Sequence, residues 1–389
     1  MRFVKLTSGS RHNKQTVKIT ERTDQKYSLK GRAELTAVRF IPAFFVMIAH
    51  NSLSWEFGFS NIMPFFFLLS GFLITINFIS EFKETKTINL KNFYIRRILR
   101  IMPVMYAIMI VVLLYGFLTH AVDYLNEYIY SALASIFLYS SYWSLVTYPF
   151  NGMFSQLWSL SVDEQFYLIW APTALFCLYR YRTRVLMWLC IFLTFASTAD
   201  SFITYYLFHN RYRAYYSLDT RASSLFAGCI LAILFSEGFL NNLSKTKRFW
   251  INLYAVISLG LITWILLTVP MFSEFSDTWG LLIFNVSCFG IVSYVLSDDI
   301  SLIKNILRLR FFVHLGKISL STYIWFWPVF LTVTSSQTHL NSWYLFILRF
   351  TLVIVLSEIT YWLVEVPTHK LRKSRFKLKI PASEVAIET

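Results

Sequence analysis

The sequence predicts an all-α, polytopic transmembrane helix bundle with about ten spans and one further segment that is re-entrant or interfacial. Three observations predict it: an apolar composition, apolar runs of about twenty residues, and basic residues gathered in alternate connections. Hydrophobic residues make up 56% of the 389 residues and charged residues 15%, against roughly 45–50% and 25% in soluble domains. This composition excludes a soluble globular enzyme and a disordered chain. The net charge of +15 indicates no nucleic-acid partner, because membrane proteins collect Lys and Arg in cytoplasmic loops.

Apolar runs long enough to cross a bilayer recur along the chain. A hydrocarbon core of about 30 Å takes about 20 apolar residues per helix. An eleventh apolar stretch, about 128–148, is interrupted by serines and stays ambiguous from hydropathy alone. The predicted spans lie at about 36–54, 61–80, 101–119, 158–179, 185–206, 217–236, 249–269, 279–297, 317–335 and 343–363.

The basic residues decide whether 128–148 crosses. Of the 36 Lys and Arg residues, 31 lie in six segments, at 1–33, 81–100, 180–184, 245–248, 298–317 and 369–379. If 128–148 does not cross, all six segments lie on one side, which is then the cytoplasm. A full crossing would place the later basic segments outside. We therefore expect a re-entrant or interfacial segment here, with both termini in the cytoplasm.

The domain organisation predicted from composition is simple. A basic cytoplasmic arm, 1–33, precedes one membrane domain, 34–369, and a polar cytoplasmic tail, 370–389, follows it. The first apolar run lacks a small-residue cleavage site, so no cleaved signal peptide is expected. The four cysteines are predicted to pack as small hydrophobes, with no disulfide framework and no metal site.

Ionisable side chains at membrane depth are candidate functional residues. Each costs about 2.5–3.5 kcal/mol on insertion scales, so such groups face a bundle interior or a wet cavity. Some near the span ends can instead reach the interface. The residues in this class are Arg39, His50, Asp163, Glu164, Asp200, Arg221, Arg349, Glu358 and Glu365.

Arg39 and His50 share the first predicted span. Eleven residues separate them by about 16 Å along a helix and return nearly to the same face. A cation and a titratable imidazole on one stripe suit a ligand that lies along the helix. The alternative is a structural Arg together with a hydrogen-bonded structural His.

Asp163 and Glu164 lie in the run from Trp158 to Trp170 that opens the fourth span. Adjacent helical residues point about 100° apart, so the two acids are not expected to face one partner. One of them is a candidate to orient a histidine. The alternative is that both favour the positive end of the helix dipole in its first turn.

A cluster of Arg96, Arg97 and Arg100 precedes Pro103, which suits the first turn of a helix. Three guanidinium groups are suited to binding the phosphates of an anionic ligand. The alternative is an ordinary positive anchor to anionic lipid head groups. The hydroxyl and aromatic residues of span 317–335, Tyr323 among them, are candidates to line a cavity, with an aromatic belt as the alternative for its two tryptophans.

These motifs together resemble the acyltransferase-3 family of integral membrane acyltransferases. Any one motif is weak, but six in the same order over about residues 35–370 are specific. Asp163 stands where the family usually has Glu, and Phe326 stands where it often has His. The motifs are the Arg39–His50 spacing, the run at 65–74, the arginine segment at 93–103, the run at 158–167, the segment at 219–228, and the pair of segments at 316–323 and 365–367.

The resemblance implies an enzyme of the bacterial inner membrane that moves an acyl group, commonly acetyl from acetyl-CoA, to a carbohydrate hydroxyl. The acceptor is then an envelope carbohydrate such as O-antigen or exopolysaccharide, free or lipid-linked, and no cofactor is bound. Only about twenty residues follow Lys370, so we expect the membrane bundle itself to complete the transfer. The resemblance does not give the acceptor hydroxyl, and the Phe326 position puts the acceptor specificity in doubt.

The same resemblance gives the candidate residues their roles. His50 is the candidate general base, since an imidazole of pKa near 6.5 suits that task, and Glu164 or Asp163 is the candidate that orients it. Direct transfer and a two-step route through an acyl-enzyme both stay open. Arg39, Arg96, Arg97 and Arg100 are the candidates for acyl-donor binding, and Trp158, Ser161, Arg221 and Tyr323 for an acceptor or structural site.

Two other functions fit part of the sequence. A transporter or flippase for lipid-linked sugars shares the span count and the buried charges but does not need the Arg39–His50 spacing. An inactive relative acting as a membrane partner is the second, and Phe326 favours it slightly. The intact set of Arg39, His50 and Glu164 argues against it.

Overall fold

The computed structural model describes residues 32–51, 58–119, 122–147, 152–298 and 301–375. Within these ranges the chain is helical and has no strand, which confirms the predicted all-α class. The predicted arm at 1–33 lies outside the described residues apart from its last two, and the predicted tail is described only as far as 375.

The helices follow one another with short connections. In the first half they are α1 (Ala33–Val38), α2 (Phe40–Ala49), α3 (Met63–Thr85), α4 (Leu90–Leu118), α5 (Val122–Ile136), α6 (Ser140–Thr147), α7 (Trp158–Arg180) and α8 (Thr183–Tyr206). In the second half they are α9 (Arg211–Tyr216), α10 (Leu218–Ser236), α11 (Lys245–Thr268), α12 (Glu274–Asp277), α13 (Trp279–Leu296), α14 (Leu302–Leu307), α15 (Arg310–Lys317), α16 (Ser319–Thr332), α17 (Ser335–Thr338), α18 (Ser342–Thr360) and α19 (Val366–Arg375).

Seven stretches of the described chain are long and apolar enough to cross a membrane, as expected for a multi-pass membrane protein. They correspond to seven of the ten predicted spans. The other three predicted spans form the broken pair α1 and α2, the more polar α7, and α16, which has 14 residues. The seven stretches are Gly58–Thr85, Leu90–Leu118, Thr183–Tyr206, Arg211–Ser236, Lys245–Thr268, Trp279–Leu296 and Ser342–Ser374.

The ambiguous segment 128–148 forms two short helices. The chain turns at Leu138, whose φ is 60°, between α5 with 15 residues and α6 with 8 residues. At 1.5 Å per residue these helices are about 22 and 12 Å long, so neither has the length of a span. The Leu138 carbonyl accepts hydrogen bonds from Ser161 and, at 2.7 Å, from Gln165, and this holds the turn against α7.

The arginine segment is part of a helix, and here the sequence-based expectation for Pro103 is wrong. α4 begins at Leu90, where Asn89 caps it by accepting a 3.0 Å hydrogen bond from the Asn92 N–H. Pro103 therefore lies inside the helix and removes one hydrogen bond to the carbonyl of Leu99. The consequence is that Arg96, Arg97 and Arg100 are held on one rigid element.

The centre of the bundle is the crossing of α3 and α10. Phe67, Leu68 and Phe72 of α3 are fully buried. A Cβ on Gly71 would lie 1.9 Å from the Leu225 carbonyl oxygen, and a Cβ on Gly228 would lie 2.0 Å from that of Leu68. The crossing is therefore a close backbone contact between small residues, as is common between membrane helices.

Two prolines shape the ends of the helices that carry candidate residues. Pro42 cannot donate to the Val38 carbonyl, and the helix breaks there into α1 and α2 with Arg39 at the break. Pro367 has the same effect on the carbonyl of Leu363, and residues Tyr361–Glu365 form one π-helical turn between α18 and α19. A π turn of this kind often accompanies a functional site.

Candidate active site

The candidate residues line two cavities in the described part of the bundle. The first, which we call the arginine cavity, has a volume of about 130 Å³ and is lined by five guanidinium groups and three carboxyl groups. The second, the histidine cavity, has a volume of about 310 Å³ and is lined by His50 and a set of aromatic rings. The charged groups of the first are Arg39, Arg96, Arg97, Arg100, Arg372, Glu81, Asp163 and Glu164. The rings of the second are Trp158, Tyr215, Tyr216, Tyr323, Phe326 and Trp327.

The two cavities are stacked along the same helices. On α3, Met63 lines the histidine cavity, and residues from Phe66 to Glu81 line the arginine cavity. The helix that carries Arg39 to the arginine cavity also carries Val46 to the histidine cavity. Because these helices pass from one cavity to the other, an elongated molecule that enters the arginine cavity along them points toward the histidine cavity.

Tyr323 lines both cavities and forms the wall between them. Its hydroxyl lies 2.7 Å from Ser159 Oγ and donates a 2.7 Å hydrogen bond to the Gln156 carbonyl. The Gln156 side chain in turn donates to the Ile324 carbonyl at 2.8 Å. These contacts fasten α16 to the start of α7 where the cavities meet.

Both acidic residues of α7 line the arginine cavity, although they point about 100° apart. Asp163 Oδ2 accepts a 2.9 Å hydrogen bond from Ser70. Asp163 Oδ1 and Glu164 Oε1 are buried and have no hydrogen-bond partner among the described residues, whereas most buried acceptors have one. α7 begins at Trp158, so the acids lie beyond its first turn and the helix-dipole alternative does not account for them.

The predicted donor-binding arginines line one cavity. The Arg97 guanidinium lies over the Tyr167 ring, 4.4 Å from its centroid, and Arg96 lies 3.7 Å from a Glu81 oxygen. Arg39 joins them from the break between α1 and α2. Their role in binding a donor stays a prediction.

His50 is the C-cap residue that directly follows α2, and its ring lines the histidine cavity. Its Nδ1 lies 2.8 Å from the Val46 carbonyl, which accepts and cannot donate, so Nδ1 carries a proton and Nε2 is the basic nitrogen of the neutral ring. The rings of Phe326 and Trp327 pack against it at 5.5 and 5.1 Å. The orienting contact expected from Glu164 is made here by Val46, while Glu164 lines the other cavity.

Residues outside the histidine cavity support its aromatic wall. Trp158 packs 5.0 Å from both Tyr215 and Tyr216. Arg221 donates to the Tyr215 carbonyl at 2.8 Å and to Asp277 at 2.6 Å. Burial raises the pKa of Asp277 to about 6, even though Arg221 lowers it. Arg221 therefore supports the wall, whereas Trp158 and Tyr323 line the cavity.

Ser161 has a local structural contact. Its hydroxyl donates to the Leu138 carbonyl in the turn between α5 and α6. It therefore fixes that turn, and it stands outside both sets of lining residues. The two tryptophans of α16 also make structural hydrogen bonds, since Trp325 donates to Thr360 at 2.9 Å and Trp327 donates to the Gly152 carbonyl at 3.0 Å. Trp327 lines the histidine cavity as well.

Sequence reasoning missed several residues of the site. From the sequence, Arg349 is only an intramembrane charge, whereas in the structure it donates to Asn51 at 2.9 Å and to the carbonyls of Phe330 and Val333. It therefore ties the residue after His50 to the end of α16. Tyr215 and Tyr216 lie just before a predicted span and carried no signal of their own.

The described residues contain no cluster of three His, Cys, Asp or Glu side chains that is able to hold a metal ion. The four cysteines are buried free thiols. The polar side chains that line the two cavities include guanidinium, carboxyl, imidazole and phenol groups.

The fold and the site together define a multi-pass membrane protein with a polycationic cavity and an aromatic, imidazole-bearing cavity that share one wall. The chain belongs to the acyltransferase-3 family, whose model, described as an acyltransferase domain, matches residues 32–365. The identification of this family from sequence motifs is thereby confirmed.

Curated relatives carry the same kind of name. The O-acetyltransferase OatA of Staphylococcus aureus strain NCTC 8325 / PS 47 is 27% identical over 369 residues, which cover 92% of this chain and 60% of the relative. The peptidoglycan O-acetyltransferase OatA of Listeria monocytogenes serovar 1/2a is 28% identical over 360 residues, which cover 89% of this chain and 57% of the relative. The chain thus spans about three fifths of the length of these relatives. No solved structure matches the chain.

Proposed function

We propose that this protein is a membrane O-acyltransferase that moves an acetyl group from acetyl-CoA to a hydroxyl of a cell-envelope carbohydrate. The observation that carries the proposal is the pair of stacked cavities with Tyr323 as their shared wall. One cavity suits an anionic donor and the other a neutral, ring-shaped acceptor. Family membership and the names of the relatives support the same reaction class.

The arginine cavity is the proposed donor site. Acyl-CoA carries a diphosphate and a ribose phosphate, and guanidinium groups bind phosphate oxygens in pairs of charge-assisted hydrogen bonds. The stretch of α3 from Phe66 to Glu81 that lines this cavity is about 22 Å long. An extended donor lying along it presents its thioester to Tyr323, with its phosphates among the arginines.

The histidine cavity is the proposed acceptor site. Trp158, Tyr215 and Tyr216 give it flat apolar faces with polar edges, a surface that suits a sugar ring with its mixed C–H faces and hydroxyl rim. Phe326 packs on the His50 ring at the position where family members often carry His. A ring without a hydrogen-bonding atom at that place favours a less polar contact with the acceptor.

The reaction proceeds by nucleophilic attack. His50 Nε2 takes the proton of the acceptor hydroxyl as its oxygen attacks the thioester carbonyl carbon. The C–O bond forms, the C–S bond breaks, and the thiolate of CoA leaves and takes up the proton from the imidazolium. The Val46 carbonyl accepts from Nδ1–H throughout, which makes Nε2 the nitrogen that takes the proton.

The membrane orientation follows from charge. Thirty-one of the 36 Lys and Arg residues lie in six segments, which we place in the cytoplasm of a bacterium with both termini. Acetyl-CoA then enters the arginine cavity from the cytoplasm, and the envelope acceptor reaches the histidine cavity from the outer face of the inner membrane.

The test uses purified full-length protein in proteoliposomes with acetyl-CoA labelled in the acetyl group. We expect label to move from acetyl-CoA to a glycan acceptor, with one equivalent of free CoA released for each ester formed. Comparison of envelope glycans from cells with and without the protein then identifies the acceptor by a mass difference of one acetyl group.

A lipid-linked sugar that crosses the membrane without gaining label would instead support a transporter. No label transfer and no mass difference for any envelope glycan would overturn the proposed reaction. The relatives' names direct the first choice of acceptor to peptidoglycan fragments, followed by O-antigen and exopolysaccharide repeats.

A further inference from the structure

The arginine cavity contains a cation, Arg372, that is not among the four arginines predicted to bind the donor. Arg372 lines the cavity from α19, which packs beside α4. It comes from the segment that composition alone assigns to a polar tail. Its guanidinium lies 3.0 Å from Nδ1 of His369, one turn earlier on the same helix, so it is held by the helix that carries it.

Helix spacing explains why Arg372 faces the cavity. Glu365, seven residues earlier, accepts a hydrogen bond from Ser321 of α16, which fixes the face that this part of the helix turns toward the bundle. Seven residues are close to two turns, so Arg372 lies on nearly the same face about 10 Å closer to the helix end. Its neighbour Lys373 is rotated by about 100° and is exposed.

Three helix ends meet at this level of the bundle. Glu81 lies one turn before the end of α3, Arg96 lies in the second turn of α4, and Arg372 lies one turn before the end of α19. All three line the arginine cavity. They therefore form its mouth, whereas Ser70 and Asp163 lie deeper, near the wall formed by Tyr323.

We propose that the mouth of the arginine cavity, with Arg372 and Arg96 as its cations, is a separate subsite for the ribose 3′-phosphate of the acyl donor. This inference rests on the proposed function. The thioester has to lead toward Tyr323, so the nucleotide end of the donor trails at the mouth. A phosphate monoester there carries nearly two negative charges. Two guanidinium groups match this charge and can donate several charge-assisted hydrogen bonds to its oxygens.

The experiment measures binding of CoA and 3′-dephospho-CoA by calorimetry to the full-length protein in phosphatidylcholine nanodiscs. The two ligands differ by this one phosphate. The variants are Arg372→Gln and Arg372→Lys, with Lys373→Gln as the matched control because it removes the same charge at the same depth on an exposed face.

We expect the unaltered protein and Lys373→Gln to bind CoA about tenfold tighter than 3′-dephospho-CoA. In Arg372→Gln this preference falls below about twofold through weaker binding of CoA alone, and Arg372→Lys keeps an intermediate preference. Unchanged binding of 3′-dephospho-CoA in Arg372→Gln shows that the variant is folded.

Equal weakening of both ligands in Arg372→Gln, or a tenfold preference that survives in it, would overturn the subsite. Repeating the measurement with phosphatidylglycerol in the nanodiscs separates a lipid site from a donor site. A preference for CoA that disappears in anionic lipid identifies Arg372 as a lipid contact and also overturns the subsite. Binding of neither ligand by the unaltered protein would overturn the proposed donor and the subsite together.

Discussion

The arginine cavity and the histidine cavity both place polar groups inside a membrane bundle, but different side chains give each cavity its character. The arginine cavity places five cations near three carboxyl groups, so its character is set by net charge. The histidine cavity surrounds one imidazole with aromatic rings, so its character is set by the shape and the apolar faces of those rings.

This difference extends to the contacts that position the side chains of each cavity. Arg97 and Arg96 are balanced by neighbours within their own cavity, the Tyr167 ring and Glu81. His50 is held by its own helix through Val46, and the walls around it are held by groups outside the cavity, such as Arg221 and Arg349. Changes in the first cavity should therefore affect binding, and changes in the second should affect turnover.

The largest expected effect is at the imidazole. His50→Ala removes the proposed base, and we expect the rate of acetyl transfer to fall by about 10²–10⁴-fold while donor binding stays unchanged. Label transfer and CoA calorimetry on the same preparation measure the two quantities. His209→Asn is the control, because it removes an exposed imidazole at a positive φ that Asn tolerates. A His50→Ala protein with full activity would remove this residue from the chemistry.

The second largest effect is expected in the arginine cavity. Reversing Arg96 and Arg97 to Glu should raise KM for acetyl-CoA by about a hundredfold, since each charge-assisted hydrogen bond is worth about 1.5–3 kcal/mol, with a smaller change in kcat at saturating donor. Initial-rate kinetics over a range of donor concentrations give both constants. The matched control reverses Arg182 and Arg184, which lie in another basic segment away from the cavity. Equal effects in both double variants would make the cavity arginines topology anchors only.

A smaller effect is expected at the shared wall. Tyr323→Phe keeps the ring and removes the hydroxyl that bridges Ser159 and the Gln156 carbonyl. We expect kcat to fall about tenfold, equivalent to about 1.4 kcal/mol, with little change in KM for either substrate. Tyr94→Phe serves as the control, because it removes a hydroxyl that donates to the Leu168 carbonyl on the exposed side of α4. A change in donor KM alone would assign Tyr323 to one cavity instead of to the wall.

The smallest effect concerns the ion pair behind the aromatic wall. The pKa of Asp277 is raised to about 6 in the folded state by burial, above its ordinary value near 3.9. The folded protein therefore binds this proton more tightly than the unfolded chain, and stability should fall as pH rises from about 4 to 6. Asp277→Asn removes this contribution, so the slope of Tm against pH over that range should become less negative. An identical slope in both proteins would contradict the shifted pKa.

Much of this architecture was predictable because bilayer thickness constrains the sequence directly. The apolar runs, the basic segments and the helix class follow from that constraint. The distribution of Lys and Arg predicted that the run at 128–148 does not cross the membrane, and the turn at Leu138 explains why it does not form one long helix. The helix start at Leu90 was not predictable from hydropathy, because Lys and Arg are interspersed among the apolar residues in the first three turns of α4. Pro103 is also compatible with both a helix start and a helix interior.

The sequence by itself determined that the protein is a helical membrane bundle, and it marked Arg39, His50, Asp163 and Glu164 as charged or titratable groups inside it, since the cost of inserting a charge acts locally on each residue. Tertiary structure alone decided how these groups are divided. Asp163 and Glu164 joined the arginines, His50 joined the rings of Trp158 and Tyr323, and Arg372 joined the site from the tail. Such grouping depends on helix crossings such as that of Gly71 with Gly228, which bring together residues distant in the chain and leave no periodic signal in the sequence.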